Sequence, residues 1–521
     1  MSRAIFKSTG VVGLTTLLSR ITGLLRDVAL AQAFGAGAFQ DAFLVAYKIP
    51  NFLRRLFAEG AFSQSFVPVI SEYKLQRSQA EVRELVAGVS GTLGTALLVV
   101  TALGVIGAPL IILVYAPGFS ADSGRYELAV QMLRWTFPYL FFISLTALFA
   151  GVLNSYRRFA LPAFTQVAQN LILIFFAIVL AANSDNPGRV LAIGVFLSGC
   201  VQLAMLLPPV AKLGLLSWPR WRPAAEGVRR IAKLMVPGIV GSSMSQVSLL
   251  LDTFIASFLI TGSISWLYFA DRIMEFPLGV FSIALGTVIL PGLSAHYAQR
   301  DAGRFSDTLD WALRLTVVLV APAAVGMLFF AGPMVATIFG YRRFTGTDVQ
   351  MASWALMAYS WGLVTFSLIK VLAPGYFARQ DTRTPVRAAM IGFAVTMLIN
   401  VVVVLPAAKL GFPAPHILLA TSTCTGSAIN AFLLWRGLRR GGTFHASPVW
   451  RTLLPRVLLA CAAMAALLWW LGGDLSSWLA LAPLQRVARC LLVIVAAAAL
   501  YFATLFLLGL RYRDLRTRPG T

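Results

Sequence analysis

Eleven ionisable side chains lie in three segments of the chain that are otherwise strongly apolar. Six are cations, of which five are arginines, and five are carboxylates. They are Arg20, Arg26 and Asp27 in the first segment, Asp41, Lys48, Arg54, Arg55 and Glu59 in the second, and Asp271, Arg272 and Glu275 in the third. Because a planar guanidinium holds two phosphate oxygens at once, this set indicates a site for a phosphate-bearing anion.

The spacing within two of the segments favours helices that present these charges together. Asp41, Lys48 and Arg55 are seven residues apart, which places them on one helix face, and Arg55 and Glu59 are four apart, as are Asp271 and Glu275. The whole chain uses arginine far more than lysine, however. Salt bridges that only hold a helix bundle together therefore stay open as the alternative to a water-filled binding cavity.

Composition identifies the surroundings of these charges as a membrane. The 521 residues are 58% hydrophobic and only 12% charged, with a mean hydropathy of +0.79, whereas soluble proteins carry about 45–50% apolar and about 25% charged residues. A bilayer core takes roughly 20 helical residues per crossing. The chain is therefore predicted to be an all-α integral membrane protein, which excludes the soluble enzyme folds.

Fourteen membrane-spanning helices are predicted from the apolar stretches. They cover residues 6–33, 39–71, 83–115, 126–152, 160–182, 189–211, 228–259, 264–296, 306–337, 347–377, 385–407, 412–436, 451–472 and 485–510. A charged group at the bilayer centre costs about 2.5–3.5 kcal/mol unless it faces water or a partner. The eleven charges are therefore not expected to face lipid.

The net charge of +23 is interpreted as membrane topology rather than nucleic-acid binding. If the N-terminus is cytoplasmic, twenty-five lysines and arginines fall in the inner connections and six in the outer ones. Short loops rich in these residues resist translocation. Both termini are therefore predicted to be cytoplasmic.

An internal repeat is indicated by three pairs of landmarks at one offset in the numbering. Pro68 and Pro291 give this offset (291 − 68 = 223). Ser71 and Ser294 have the same separation, and so do Pro162 and Pro385. We expect a six-helix lobe at 1–222, a parallel six-helix repeat at 223–440, and an extra helix pair with a basic tail at 441–521. Parallel repeats of this kind build transporters that rock about a site near the membrane midplane.

Other candidate residues give weaker evidence for a functional role. Asp252, a carboxylate in an apolar helix, could take a proton or Na⁺, or be a structural residue. The four cysteines all lie in apolar segments with no Cys-x-x-Cys spacing, and the three histidines are scattered. We expect no metal site, no catalytic constellation and no enzyme activity.

Three stretches of the sequence resemble the bacterial MurJ (MviN) family of lipid II flippases. They are SRITGLLRDVALAQAFGAGAFQDAFLVAYKIPNFLRRLFAEGAFSQSFVPVISEY, YFADRIMEFPLGVFSIALGTVILP and LAPGYFARQDTRTPV. The likeness covers essentially the whole chain and places it in the superfamily that also contains multidrug exporters of the MATE type and polysaccharide-lipid flippases. It implies transport of undecaprenyl-pyrophosphate-linked peptidoglycan precursor, lipid II, from the inner to the outer leaflet of the bacterial cytoplasmic membrane.

The resemblance also implies roles for individual residues. The family's essential cavity arginines correspond to Arg20, Arg26, Arg54 and Arg272, and its associated charges to Asp27, Asp41, Lys48, Glu59, Asp271 and Glu275. Its C-terminal helix pair implies a groove for the polyprenyl tail. Its helix-7 carboxylate, a Na⁺ ligand in some members, corresponds to Asp252, but the other ligands have no match here. No cofactor is therefore expected, and Na⁺, H⁺ and membrane potential stay open as the driving force.

Three other functions stay open at this point. A cation-coupled drug exporter of the MATE type predicts an acidic cavity, which six cations against five carboxylates do not favour. A flippase for O-antigen or another polysaccharide lipid is not excluded by the charge pattern alone. A membrane scaffold without transport is disfavoured by the cost of burying so many charges. The expected partners are lipid II, membrane lipids and the cell-wall synthesis machinery, with no nucleic acid.

Overall fold

The structure is a computed structural model that describes residues 3–55, 62–121 and 123–511. This part of the chain is almost entirely helical and contains no strand. Twenty-one α-helices follow one another: α1 Arg3–Phe34, α2 Ala38–Arg54, α3 Ser63–Gln76, α4 Gln79–Ile106, α5 Ala108–Tyr115, α6 Ser123–Thr136, α7 Tyr139–Ser155, α8 Ala160–Phe175, α9 Pro187–Lys212, α10 Glu226–Ser257, α11 Ser263–Pro277, α12 Ala284–Ala298, α13 Ala302–Phe329, α14 Ala331–Phe339, α15 Gly346–Phe377, α16 Arg383–Ile399, α17 Leu405–Lys409, α18 Pro415–Arg440, α19 Trp450–Gly472, α20 Leu475–Leu479 and α21 Pro483–Leu507.

The prediction of an all-α membrane protein is confirmed. Among the described residues, eleven helices are long and apolar enough to cross a membrane. The other three predicted crossings, at 6–33, 39–71 and 228–259, coincide with α1, with α2 and α3, and with α10. Wherever the structure describes the chain, the fourteen predicted crossings therefore fall on helices.

The helix boundaries confirm the internal repeat. Both ends of α10 follow those of α1 at the offset of the landmark pairs (226 − 3 = 223 and 257 − 34 = 223), and both ends of α13 follow those of α4 in the same way. The first residues of α14 and α16 follow those of α5 and α8 at this offset too, whereas α18 follows α9 at a larger one (415 − 187 = 228). At these helices the two repeats therefore keep one offset, and five extra residues enter before α18.

The ends of corresponding helices also share unusual backbone geometry. Arg157 and Gln380 occupy equivalent positions of the two repeats (380 − 157 = 223), and both have left-handed φ angles, 59° and 60°. In the first repeat Arg158 N donates to Leu153 O at 2.9 Å, and in the second Asp381 N donates to Tyr376 O at 3.1 Å. In this common C-terminal motif one residue adopts a left-handed conformation, and the amide that follows it donates to a carbonyl of the last helical turn. The two repeats thus end this helix in the same way.

Packing divides the chain into two compact units, Met1–Gly262 and Ser263–Thr521. Helix α10 starts the second repeat but packs against α3, α4 and α5 of the first unit. The packing boundary therefore lies after α10. The lobe boundary expected near residue 222 is the boundary between sequence repeats, and as a division into functional domains it stays a prediction.

In the second unit the C-terminal helices have their own apolar core. Trp478 and Tyr501 are fully buried there against Val318 of α13 and Phe330, which precedes α14. Tyr501 Oη also donates to Val318 O at 2.8 Å. The extra helix pair is therefore packed firmly onto α13 and α14.

Candidate functional site

The most buried of the predicted charges form a pair on α1. Arg26 donates from Nε and Nη2 to Asp27 Oδ1, at 3.0 and 2.7 Å, and both residues are buried. Arg26 Nη1 donates to Asn170 Oδ1 of α8 at 3.2 Å. The partners of the guanidinium thus include a carboxylate and a neutral amide of the first unit.

Asn170 fixes the helix that carries this pair. Its Nδ2 donates to Ser19 O at 3.2 Å and to Thr22 Oγ1 at 3.1 Å, one turn before Arg26 on α1. The amide of Asn170 is buried, and α1 packs along α8. Asn170 was missed in the sequence because only ionisable residues were sought there. Its position in the stretch TQVAQN, which is polar within an otherwise apolar helix, could have identified it.

Arg20 lies in a different environment from Arg26. It is on the same helix but exposed, whereas Arg26 is buried. Six residues of helix turn the two side chains about 120° apart around the axis. The two arginines of α1 therefore do not share one face.

The three seven-spaced residues of the second segment fall in three environments. Asp41 is buried, and its Oδ2 accepts a hydrogen bond from the backbone amide of Gly262 at 2.7 Å. Lys48 is half-buried and Arg55 is exposed. Burial of these three residues therefore falls from Asp41 to Arg55, and their common helix face stays a prediction.

Lys48 joins α2 to α10. Its Nζ donates to Thr253 Oγ1 at 3.0 Å. The neighbouring Asp252 and the buried Tyr115 of α5 lie close enough to interact electrostatically. This cluster unites a predicted cavity cation with the predicted coupling carboxylate. Thr253 is a further functional candidate that a search for charges could not find.

Arg54 ends α2 half-buried, with its Nε donating to Asn51 Oδ1 at 3.1 Å. The predicted partner of Arg55, Glu59, lies outside the described residues. One hydrogen bond of the Arg54 guanidinium is thus made to a neutral acceptor of its own helix.

In the second unit, α11 carries a compact arginine site. Arg272 Nη1 donates to Glu275 Oε2 at 2.7 Å, and its Nη2 donates to Tyr268 Oη at 3.0 Å. The guanidinium carbon also lies 5.2 Å from the centre of the Tyr268 ring. Asp271 is half-buried. The arginine pairs with the carboxylate three residues on and keeps part of its surface exposed.

These geometries show what the charges can do. Arg26 and Arg272 are each held by a carboxylate of the same helix, while Arg20 is exposed and Arg54 is half-buried. A phosphate could approach the latter two directly and would have to displace a carboxylate from the former two. No group of three or more metal-binding side chains occurs in the described chain.

Comparison with known proteins gives one consistent result. The family model described as lipid II flippase MurJ matches residues 30–486. The chain is 43% identical over 516 residues to the probable lipid II flippase MurJ of Haemophilus influenzae, covering 96% of this chain and 100% of that protein.

Solved structures agree with this similarity. The fold matches a structure described as lipid II flippase MurJ in an inward closed conformation, with a TM-score of 0.76 and 26% identity, covering 95% of this chain and 99% of that one. An inward-facing multidrug transporter of the MATE family matches with a TM-score of 0.64 but only 15% identity, covering 82% and 95%. The second match shows the fold alone.

Proposed function

The chain belongs to the MurJ family of lipid II flippases, and we propose that it moves lipid II from the inner to the outer leaflet of the cytoplasmic membrane by alternating access. The match over nearly the full length of the curated relatives carries this assignment. The family is one of transporters, and the many apolar helices make the chain a multi-pass inner-membrane protein. Both termini are proposed to be cytoplasmic.

The proposed headgroup site uses Arg20, Arg26, Arg54 and Arg272. Arg20 and Arg54 are exposed or half-buried and would meet the pyrophosphate first. Charge-assisted hydrogen bonds from guanidiniums replace the hydration that the phosphates lose.

Arg26 and Arg272 would then exchange their carboxylates for phosphate oxygens. In the structure Asp27 and Glu275 hold these guanidiniums in place, at 2.7 Å in both pairs. Such a switch lets the protein keep a buried arginine without a bound anion, since an unpaired buried charge is costly. Asp41, Lys48, Arg55, Glu59 and Asp271 complete the proposed set of supporting charges.

The proposed driving force acts on the same charges. Moving one charge through the membrane field is worth about 2.3 kcal/mol per 100 mV, so membrane potential could reset the empty carrier. Asp252, beside Thr253 and Lys48, is the candidate for coupling to Na⁺ or H⁺. The C-terminal pair, α19 and α21, is proposed to hold the polyprenyl tail, and cell-wall enzymes are proposed as protein partners.

Depletion of the protein in its own cells tests the substrate. Lysis with lipid II accumulating on the inner leaflet is the expected result. Unaltered wall synthesis together with loss of a surface polysaccharide would instead identify a flippase for another lipid-linked glycan. A drug-exporter function rests on the MATE likeness, which shows the fold only.

A further inference from the structure

A chain of neutral polar side chains joins α8 to α2 inside the first unit. Gln166 Nε2 donates to Gln169 Oε1 at 2.6 Å, and Gln169 Nε2 donates in turn to Tyr47 Oη of α2 at 3.2 Å. Gln169 Nε2 also donates to Tyr139 Oη of α7 at 3.0 Å. Both glutamines lie in the apolar crossing Ala160–Leu180. Because polar side chains are costly within a membrane, their presence there indicates a function.

The neutral chain adjoins two of the proposed headgroup arginines. On α8 the residue after Gln169 is Asn170, which accepts from Arg26 at 3.2 Å. On α2 the carbonyl of Tyr47 accepts from Asn51 Nδ2 at 3.2 Å, and Asn51 Oδ1 accepts from Arg54 at 3.1 Å. Contacts therefore lead from Arg26 through the neutral side chains to Arg54, all within the first unit.

Part of the hydrogen-bonding capacity of this chain is unused and open to a ligand. Gln169 and Tyr139 are buried, whereas Tyr47 and Gln166 are half-buried and keep some exposed surface. Within the part of the chain that the structure describes, the Tyr47 hydroxyl accepts one hydrogen bond and donates none. The carbonyl oxygen of Gln166 accepts none there, and it is not one of the buried atoms. A donor and an acceptor are therefore available side by side.

The second repeat lacks this arrangement in its sequence. The repeat offset holds for the helices concerned, since α15 begins 223 residues after α6 and α16 begins 223 after α8 (346 − 123 = 223 and 383 − 160 = 223). At the positions equivalent to Tyr47, Tyr139, Gln166 and Gln169 the second repeat has Ala270, Gly362, Ala389 and Gly392. None of these four residues has a side chain that forms hydrogen bonds. The neutral chain is therefore a property of the first repeat and is not required by the helix arrangement that the repeats share.

From these observations we propose that Tyr47 and Gln166 bind the sugar attached to the pyrophosphate, and that Gln169 positions both side chains; this inference rests on the proposed function. Carboxamide and phenol groups both donate and accept, as the hydroxyl and amide groups of an N-acetylated sugar do. Because they are neutral, they favour a sugar over the phosphates themselves. Their place beside Arg26 and Arg54 suits the group that follows the pyrophosphate.

Binding of two lipids to the purified full-length protein tests the proposal. One is lipid II, and the other is undecaprenyl pyrophosphate, which has the same anionic group and tail but no sugar. Titrations followed by native mass spectrometry give a Kd for each lipid. Tyr47→Phe and Gln166→Met remove hydrogen-bonding groups and keep the size of the side chain. Each variant is expected to weaken the binding of lipid II about fivefold to tenfold and to leave the Kd of undecaprenyl pyrophosphate unchanged.

Tyr139→Phe is the matched control, because it removes a hydroxyl from the same glutamine at a buried position. It should bind both lipids as the wild type does, whatever its unfolding temperature. The inference alone is overturned if Tyr47→Phe and Gln166→Met weaken both lipids equally or neither, or if Tyr139→Phe shows the same selective loss. A wild-type protein that binds neither lipid would contradict the proposed function, and this inference with it.

Discussion

Arg26 and Asp27, consecutive residues of α1, form a buried ion pair in which two guanidinium nitrogens meet one carboxylate oxygen at 3.0 and 2.7 Å. Neighbours in sequence rarely face each other on a helix. Here the long arginine side chain folds back and is held by Asn170 of α8. The pair is therefore a product of helix packing as well as of sequence.

Removing the carboxylate of this pair should cost more than removing the amide. Asp27→Ala removes the carboxylate that pairs with the buried Arg26 guanidinium, which costs about 3–5 kcal/mol. Asn170→Ala removes neutral hydrogen bonds and should cost about 1–3 kcal/mol. In detergent, Asp27→Ala should therefore have a lower unfolding temperature than Asn170→Ala. The reverse order would show that Arg26 does not depend on Asp27.

Arg486 anchors the C-terminal helices to the end of α14. It is buried and donates to four carbonyls, those of Ala336, Gly340, Leu479 and Leu481, at 2.8–3.2 Å. Arg486→Lys replaces the guanidinium by an ammonium group, whose three donors cannot reach all four carbonyls. We expect a lower unfolding temperature and faster proteolysis of the connection 441–449. Arg451→Lys on the exposed face of α19 should change neither, and equal behaviour of the two variants would contradict the anchoring role.

The start of α19 is held by a buried carboxylate. Asp310 Oδ1 accepts from Trp450 Nε1 at 2.6 Å, and its Oδ2 pairs with Arg314 at 2.8 Å. Trp450→Phe removes the indole donor and should lower the free energy of unfolding by about 1–3 kcal/mol. Trp469→Phe, in the same helix but 76% exposed, is the matched control in the same denaturation assay. If both variants lost the same free energy of unfolding, the loss would come from the smaller ring and not from the missing hydrogen bond.

Asp381, in the turn between α15 and α16, should titrate below its ordinary pKa of 3.8. The hydroxyl and then the backbone amide of Thr384 stabilise the carboxylate and lower its pKa. A lowered folded pKa means that the stabilisation is present above the unfolded pKa and is lost as pH falls through the folded value. The stability gap between the wild type and Asp381→Asn should therefore be full at pH 6 and close in strong acid. A gap independent of pH would refute the assignment.

Much of the fold could be predicted from the sequence. The lengths of the apolar stretches predicted the membrane crossings. Three landmark pairs gave the offset between the repeats, which holds at both ends of α1 and α10 and of α4 and α13. The five extra residues before α18 were missed, because the three landmark pairs all lie before them in the chain. The packing of α10 on the first unit was also missed, because the order of helices in a repeat does not determine their neighbours.

The side-chain partners of the site were less predictable. Charge placement pointed to Arg26 and Arg272, but Asn170, Thr253 and Tyr268 are neutral residues whose contacts depend on tertiary packing. The seven-residue spacing of Asp41, Lys48 and Arg55 predicts a common helix face but not their burial. Burial falls from Asp41 to Arg55, because it depends on how α2 packs against other helices.

The central claim is that Arg20, Arg26, Arg54 and Arg272 hold the pyrophosphate during transport. The most direct measurement is the appearance of lipid II at the outer face of cells that rely on each alanine variant, with Arg387→Ala as the control of equal charge change. Each of the four variants should lose most of the transport at normal protein levels, and the control should keep it. Full transport in all four variants would contradict the claim.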